Sequence, residues 1–123
     1  MKKILIVDDE EEIREILKKK LEKSGFAADA VAGGKKALEI CKADKPDLVL
    51  LDIAMPEMDG YQTCEKLKQD KSTRDIPVLF LTAKDLDPKS IYEHYDELGA
   101  VGYMPKPSTF EELLKKIKEI TGG

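Results

Sequence analysis

The sequence predicts an α/β fold, a parallel five-stranded sheet doubly wound by helices on both faces, (βα)5. Two observations predict it. Short apolar runs alternate with segments of helical period along the whole 123-residue chain. The runs themselves, such as LVLL at 48–51, lack polar alternation, as strands buried on both faces should. The size agrees, since 123 residues make one domain with one core, and 41% hydrophobic against 37% charged residues is a globular balance.

Strands are predicted at 3–7 (KILIV), 26–31 (FAADAV), 48–52 (LVLLD), 77–82 (PVLFLT) and 100–104 (AVGYM). The second is the weakest, being alanine-rich with a polar Asp29. Five helices fill the intervals. The first, about 10–23, sets Ile13, Ile16, Leu17 and Leu21 on one face, runs from glutamates to lysines as its dipole favours, and stops at Gly25. The second, 34–43, ends before Lys45-Pro46, and the third follows Asp59-Gly60 with Tyr61, Cys64 and Leu67 inward. The fourth opens at Asp87-Pro88 and ends at Gly99. The last begins at Ser108-Thr109-Phe110-Glu111, a capping-box spacing, and buries Phe110, Leu113, Leu114, Ile117 and Ile120.

Composition narrows the function classes. Net charge is −4 with both signs spread along the chain, so no basic stripe offers direct nucleic-acid binding. No apolar stretch approaches the roughly 20 residues of a membrane span, and no membrane insertion is expected. MKKILIV opens like a signal peptide, but its apolar part runs straight into acids. The expectation is a cytoplasmic protein of one domain, residues 1–121, with 122–123 as a tail and no effector domain. Cys41 and Cys64 lack metal-ligand spacing and fall on apolar helix faces, which reads as reduced core thiols, and lone His94 reads as a surface helix residue.

An open α/β sheet takes its ligand outside the carboxyl ends of its strands, where the strand order switches. That rule selects candidates directly. Strand one ends in Asp8-Asp9, strand three in Asp52, strand four in Thr82, and strand five runs into Lys106. Singly, each has a plainer reading: Asp8-Asp9 could cap the first helix, Asp52 could be a solvated strand end, Thr82 an ordinary β residue, Lys106 a loop lysine between prolines, and Tyr103 core. Four strand ends agreeing outweighs these. Three carboxylates repel one another and suit a hard divalent cation, Mg2+ or Mn2+ in its place, and the absence of a nearby His or Cys disfavours zinc. With a hydroxyl and an ammonium beside them, the parts suffice for phosphoryl transfer, in which cation and lysine neutralise the oxyanions and the central carboxylate, Asp52, attacks phosphorus in line.

ILIVDDE, LVLLDIAMPEMDG, VLFLTA and YMPKP, in that order, resemble the receiver domain of two-component response regulators over essentially the whole chain. The resemblance implies a flavodoxin-like sheet with order 2-1-3-4-5 and phosphoryl transfer from a phosphohistidine on a sensor histidine kinase or histidine phosphotransfer protein. It implies Asp52 as phosphoacceptor and catalyst of its own Mg2+-dependent phosphorylation and dephosphorylation, rather than a conventional enzyme. Asp9, Asp52 and the Ala54 carbonyl become direct Mg2+ ligands, with Asp8 acting through water. Thr82 binds a phosphoryl oxygen, Lys106 pairs with the phosphoaspartate, and the family's cis peptide falls at Lys106-Pro107. Thr82 and Tyr103 form the switch that reshapes the face of the fourth helix, fifth strand and fifth helix, read by an unidentified downstream protein as a monomer or a phosphorylation-dependent dimer. Ile13, Ile16 and Pro107 are the kinase-docking candidates. Ala54 and Lys84, two positions beyond Asp52 and Thr82, tune hydrolysis by controlling water.

Two departures stand out. Ser108 replaces the phenylalanine many members carry after the Lys-Pro pair, and Thr82 and Lys106 lie 106 − 82 = 24 positions apart, slightly more than is usual. The extra length falls in DLDPKSIYEHYDE, on the output face. Three other functions compete. A degenerate receiver acting only as a protein-binding module is disfavoured by the intact acids, Thr82 and Lys106. An aspartyl phosphatase would need a second Asp where Ala54 stands, and a nucleotide binder would need a glycine-rich loop where Asp8-Asp9-Glu10 stands.

Lys and Glu abound while Asn is missing and Gln is limited to Gln62 and Gln69, a bias that points to a thermophilic source. A calorimetric scan is expected to give a melting midpoint above the mesophile range of about 45–65 °C; a midpoint inside it would refute that origin.

Overall fold

The middle strand, β3 (Leu48–Asp52), is buried at every residue. It lies between β1 (Lys3–Val7) and β4 (Val78–Thr82), with β2 (Ala27–Val31) and β5 (Gly102–Pro105) at the edges. All pairs are parallel and the order is β2-β1-β3-β4-β5, as the sequence predicts. The structure, a computed structural model, describes residues 1–82, 99–105 and 109–123, with Thr82 and Pro105 by their backbone alone. The predicted fourth helix with Asp87-Pro88 and His94, together with Lys84, Lys106, Pro107 and Ser108, lies outside the described residues.

Alternation along the strands divides the core. Leu5, Val7, Val49, Leu51, Val78 and Phe80 pack with Ala37 and Cys41 of α2 (Gly34–Ala43) and with Cys64 and Leu67 of α3 (Gly60–Gln69). Ile4, Ile6, Leu48, Leu50, Leu79 and Leu81 pack with Leu21 of α1 (Glu11–Lys23) and with Leu113 and Ile117 of α4 (Phe110–Thr121), the last of the predicted helices. The sheet is therefore covered on both faces, and β1 and β3 flank the point where the order reverses.

Several boundaries differ from expectation for local reasons. Phe26 is not in β2. Its N–H bonds the Leu21 carbonyl and that of Gly25 (φ 93) bonds the Glu22 carbonyl, a Schellman closure of α1 that takes the donor Phe26 would need for the sheet. Pro77 precedes β4 because it has no N–H to give, although its carbonyl accepts from Val49 at 3.0 Å. The fifth strand starts two residues late, at Gly102. The C-terminal helix is capped one residue beyond the predicted Ser108, by Thr109, whose hydroxyl accepts from the Glu112 N–H at 3.2 Å.

One expectation about the core fails. Ile16 was placed on the inward face of α1, but it is 53% exposed. Leu17 and Leu21, four residues apart, pack on the sheet, and Ile16 falls on their flank. Lys68 is the reverse case, a charged residue drawn inward. Its Nζ donates to the carbonyls of Arg74 (3.0 Å) and Ile76 (2.7 Å), tying α3 to the segment that leads into β4. Burial holds its pKa below the usual lysine value.

Both thiols are buried and neither forms a disulfide, and desolvation pushes both up to about 11 from 9.0. An unfolded thiol ionises near 9 and a folded one near 11, so between these values the unfolded chain holds fewer protons. This contribution is complete below pH 9 and is lost as pH rises to 11. Urea unfolding from pH 8 to 11 should show stability falling across that window, and a Cys41→Ala/Cys64→Ala variant should fall less steeply; an equal slope would contradict the assignment.

Candidate functional site

Val7 pairs with Leu51 in the β1–β3 ladder, so one step further on Asp8 and Asp52 occupy equivalent positions on adjacent strands, which run about 4.8 Å apart. Alternation gives both the parity of Ile6 and Leu50, on the side of α1. Both are buried, Asp8 at 0% and Asp52 at 3% exposure. Carboxylates this deep at one sheet edge need compensation, and the surrounding backbone supplies part of it.

The turn after β1 is built on Asp8. Its N–H bonds the Val31 carbonyl at 3.2 Å, its Oδ1 accepts the Glu10 N–H at 2.9 Å, and its carbonyl accepts from Arg14 Nη1 at 2.8 Å. The carboxylate thus serves the backbone just ahead of α1, which is part of the plain capping reading. Glu10 is the N-cap residue itself and makes no side-chain cap. The turn gathers Asp8, Asp9 and Glu10, with one carboxylate oxygen of each within 4.8 Å of the others, and Asp9 and Glu10 exposed. Glu10 was not among the candidate ligands. Its signal was present in DDE, the third acid in a row, but an acid at a helix start has an ordinary explanation in the dipole.

The segment after β3 is held more tightly. Met55 N–H bonds the Ile53 carbonyl (3.2 Å) and Met58 N–H the Pro56 carbonyl (2.8 Å), two successive three-residue turns. Glu57 takes φ 66 in the second, a left-handed conformation costing a non-glycine residue on the order of 1–3 kcal/mol. Met55 anchors the segment in the core, and Ala54 between these features is exposed. The far end is fixed by a capping box in which Asp59 accepts the Gln62 N–H at 2.8 Å and Gln62 Oε1 accepts the Asp59 N–H at 3.0 Å.

Gly60 then donates to the Ile53 carbonyl at 2.9 Å, bringing the start of α3 against the strand end. A Cβ on Gly60 would lie 2.4 Å from the Asp52 carbonyl oxygen and 2.7 Å from Ile53 Cα, both backbone atoms.

On the other side of the sheet, Thr82 pairs in register with Pro105, and Phe80 with Tyr103. Tyr103 is half-buried against the cluster containing Phe80, and Phe80 meets Tyr61 edge-on, with centroids 5.5 Å apart at 76°. The backbone of Thr82 therefore ends β4 at the same edge as Asp52. The roles expected of Lys106 and Pro107 fall outside the described residues. Ile13 is half-buried and Ile16 exposed on the first turns of α1. As a donor set, Asp8, Asp9 and Glu10 offer only carboxylate oxygens, which suits Mg2+ and its octahedral oxygen preference better than a soft metal.

Residues 4–118 match the family of the response regulator receiver domain. The chain belongs to that family. Among relatives, the Bacillus subtilis alkaline phosphatase synthesis transcriptional regulatory protein PhoP is 41% identical over 124 residues, covering 97% of this chain and 48% of PhoP. The chain spans about half the length of the curated relatives it matches. Among solved structures, the chemotaxis protein CheY4 of Vibrio cholerae superimposes with a TM-score of 0.90 at 28% identity, covering 98% of both chains. The receiver domain of the sensor histidine kinase PA1611 from Pseudomonas aeruginosa gives a TM-score of 0.87 at 25% identity, over 99% of this chain and 98% of that one. That structure holds a magnesium ion coordinated in its active site cleft. Receiver domains serve phosphorylation-dependent signalling in two-component systems, partner with histidine kinases and bind Mg2+ at an acidic site. Among the described residues, no helix of this receiver domain is long and apolar enough to cross a membrane.

Gly60→Ala should test how the receiver's strand end depends on this approach. The added Cβ meets backbone rather than a movable side chain, so a loss of about 1–3 kcal/mol is expected in urea unfolding; wild-type stability would show that α3 does not hold the Asp52 carbonyl in place.

Proposed function

We propose that this receiver domain, residues 1–121, is a phosphorylation-activated switch that accepts a phosphoryl group on Asp52 from a phosphohistidine of a sensor histidine kinase or phosphotransfer protein. The observation that carries the reading is the equivalent placement of buried Asp8 and Asp52 at the switch point of the sheet, beside the carboxylate group of Asp8, Asp9 and Glu10. Asp9, Asp52 and the Ala54 carbonyl would hold Mg2+, with Asp8 reaching it through water. The bound cation supplies positive charge to the phosphoryl oxygens and lowers the repulsion an anionic donor meets from the acids.

Asp52 carboxylate oxygen attacks phosphorus in line, an O–P bond forms as the N–P bond of the phosphohistidine breaks, and the imidazole leaves with the electron pair. Burial of Asp52 with its backbone locked by Gly60 and the Asp59 cap supports this role, because a nucleophile fixed near attack geometry loses little freedom in the transition state. Thr82 is assigned to bind a phosphoryl oxygen and Lys106 to pair with the phosphoaspartate. Hydrolysis returns the carboxylate, with Ala54, small and exposed, leaving room for water and Lys84 assigned to shield or contact the phosphoryl group.

The output follows from population shift. Thr82 drawn toward the new phosphoryl oxygens would leave space that Tyr103 fills, two register positions behind the strand end. That reshapes the surface of the predicted fourth helix, β5 and α4. Kinase docking is assigned to Ile13, Ile16 and Pro107, and the 53% exposure of Ile16 favours that role over a core one. The downstream target is a protein, with the domain acting as a monomer or as a phosphorylation-dependent dimer in the cytoplasm.

Intact mass after incubation with acetyl phosphate and Mg2+ tests the reading. A single phosphoryl adduct on wild type, absent from Asp52→Ala and absent without the metal, is the expected result. If neither this donor nor a beryllofluoride mimic occupies the site, the phosphorylation reading falls and a receiver acting purely as a binding module replaces it.

A further inference from the structure

The guanidinium of Arg14 is used at the site in a way the reading above leaves unassigned. β1 ends its ladder at Val7, and Asp8 keeps its N–H in the sheet through Val31 while its carbonyl has left it. That carbonyl, on a residue with 0% exposure, takes a 2.8 Å hydrogen bond from Arg14 Nη1. The backbone N–H of Arg14 meanwhile bonds the Glu10 carbonyl at 3.1 Å. Glu10 in turn gives its N–H to Asp8 Oδ1 at 2.9 Å. One residue therefore grips both ends of the turn that carries Asp8, Asp9 and Glu10, through its side chain at the start and its backbone at the end.

A surface helix position in this chain would ordinarily carry lysine, since 21 basic residues include just two arginines, Arg14 and Arg74. Lysine would supply the same charge. Arginine differs in having planar, directed donors that can be held in one orientation. Half-buried at this position, Arg14 is placed for a geometric task.

We infer that Arg14 is a positioning residue for the cation site, holding the Asp8 carbonyl so that the Asp8–Asp9–Glu10 turn stays in ligand geometry before Mg2+ arrives. The inference rests on the phosphoryl-transfer reading and extends it to a residue that touches neither metal nor phosphate. Two effects of the guanidinium oppose each other. As a cation it repels Mg2+, and as a donor it prevents the turn from relaxing under the mutual repulsion of three carboxylates. The exposed Asp9 and Glu10 carboxylates beside it offset the guanidinium charge, whereas a lost outer-shell hydrogen bond commonly weakens metal binding about 10- to 100-fold. The donor effect should win.

Calorimetric Mg2+ titration of the full chain, with metal-free NMR of the Asp8–Glu10 amides, tests this. Arg14→Ala is expected to weaken Mg2+ binding about tenfold and to shift those amide signals. Arg14→Lys keeps a donor of similar reach and is expected to recover part of the affinity. Unchanged or tighter binding in Arg14→Ala, the direction a role through charge alone would give, or weaker binding with the metal-free amide signals unmoved, overturns the inference. If Arg14→Ala does not fold, Arg14→Met, which keeps the aliphatic stem without donor or charge, is read in the same way. Wild type binding no Mg2+ would overturn the function reading along with this one. Wild-type binding abolished by Asp9→Ala leaves that reading standing whatever Arg14 does.

Discussion

The parallel pairing of β1 with β3, four residues in register from Ile4–Leu48 to Val7–Leu51, is the constraint on which the rest depends. Both strands are buried on both faces, so a slip of one residue would carry each side chain from one helical layer to the other. It would also carry Asp52 away from Asp8. The same apolar packing that stabilises the sheet therefore sets the geometry of the acids, and no separate device is needed to bring the two strands' carboxylates to one edge.

Beyond the strand ends the work passes to hydrogen bonds. The turn after Asp8 is closed by the Asp8 carboxylate and by Arg14, and the segment after Asp52 by two tight turns, the Asp59–Gln62 capping box and the close approach of Gly60. Each connection is short and directional. The positive φ of Glu57 lies in the second of them, where surrounding contacts over-determine the backbone. Hydrogen bonds of this kind fix the backbone around the strand ends before any ligand is bound.

The two faces of the sheet divide the tasks. Asp8 and Asp52 share the parity of the residues that face α1 and α4, while Phe80, Tyr61 and Tyr103 belong to the layer of α2 and α3. Tyr103 is half-buried on an edge strand, beside the fully buried Phe80. Register alone places Tyr103 opposite Phe80, two positions before the paired ends Thr82 and Pro105.

The strands, the described helices and the strand order were legible in the sequence, because uninterrupted apolar runs and helical periods report burial directly, and the ordered motifs ILIVDDE, LVLLDIAMPEMDG, VLFLTA and YMPKP together specify one family. Asp8, Asp9 and Asp52 were legible for the same reason, as acids at the ends of apolar strands. Other features required tertiary structure. The loss of Phe26 from β2, the exposure of Ile16, the shift of the last cap to Thr109 and the grip of Arg14 on Asp8 all depend on where a particular donor or flank points. Periodicity averages over a segment and so determines which face is buried. Which single N–H, guanidinium or Cβ meets which neighbour is a matter of a few tenths of an ångström, and only the packed chain decides it.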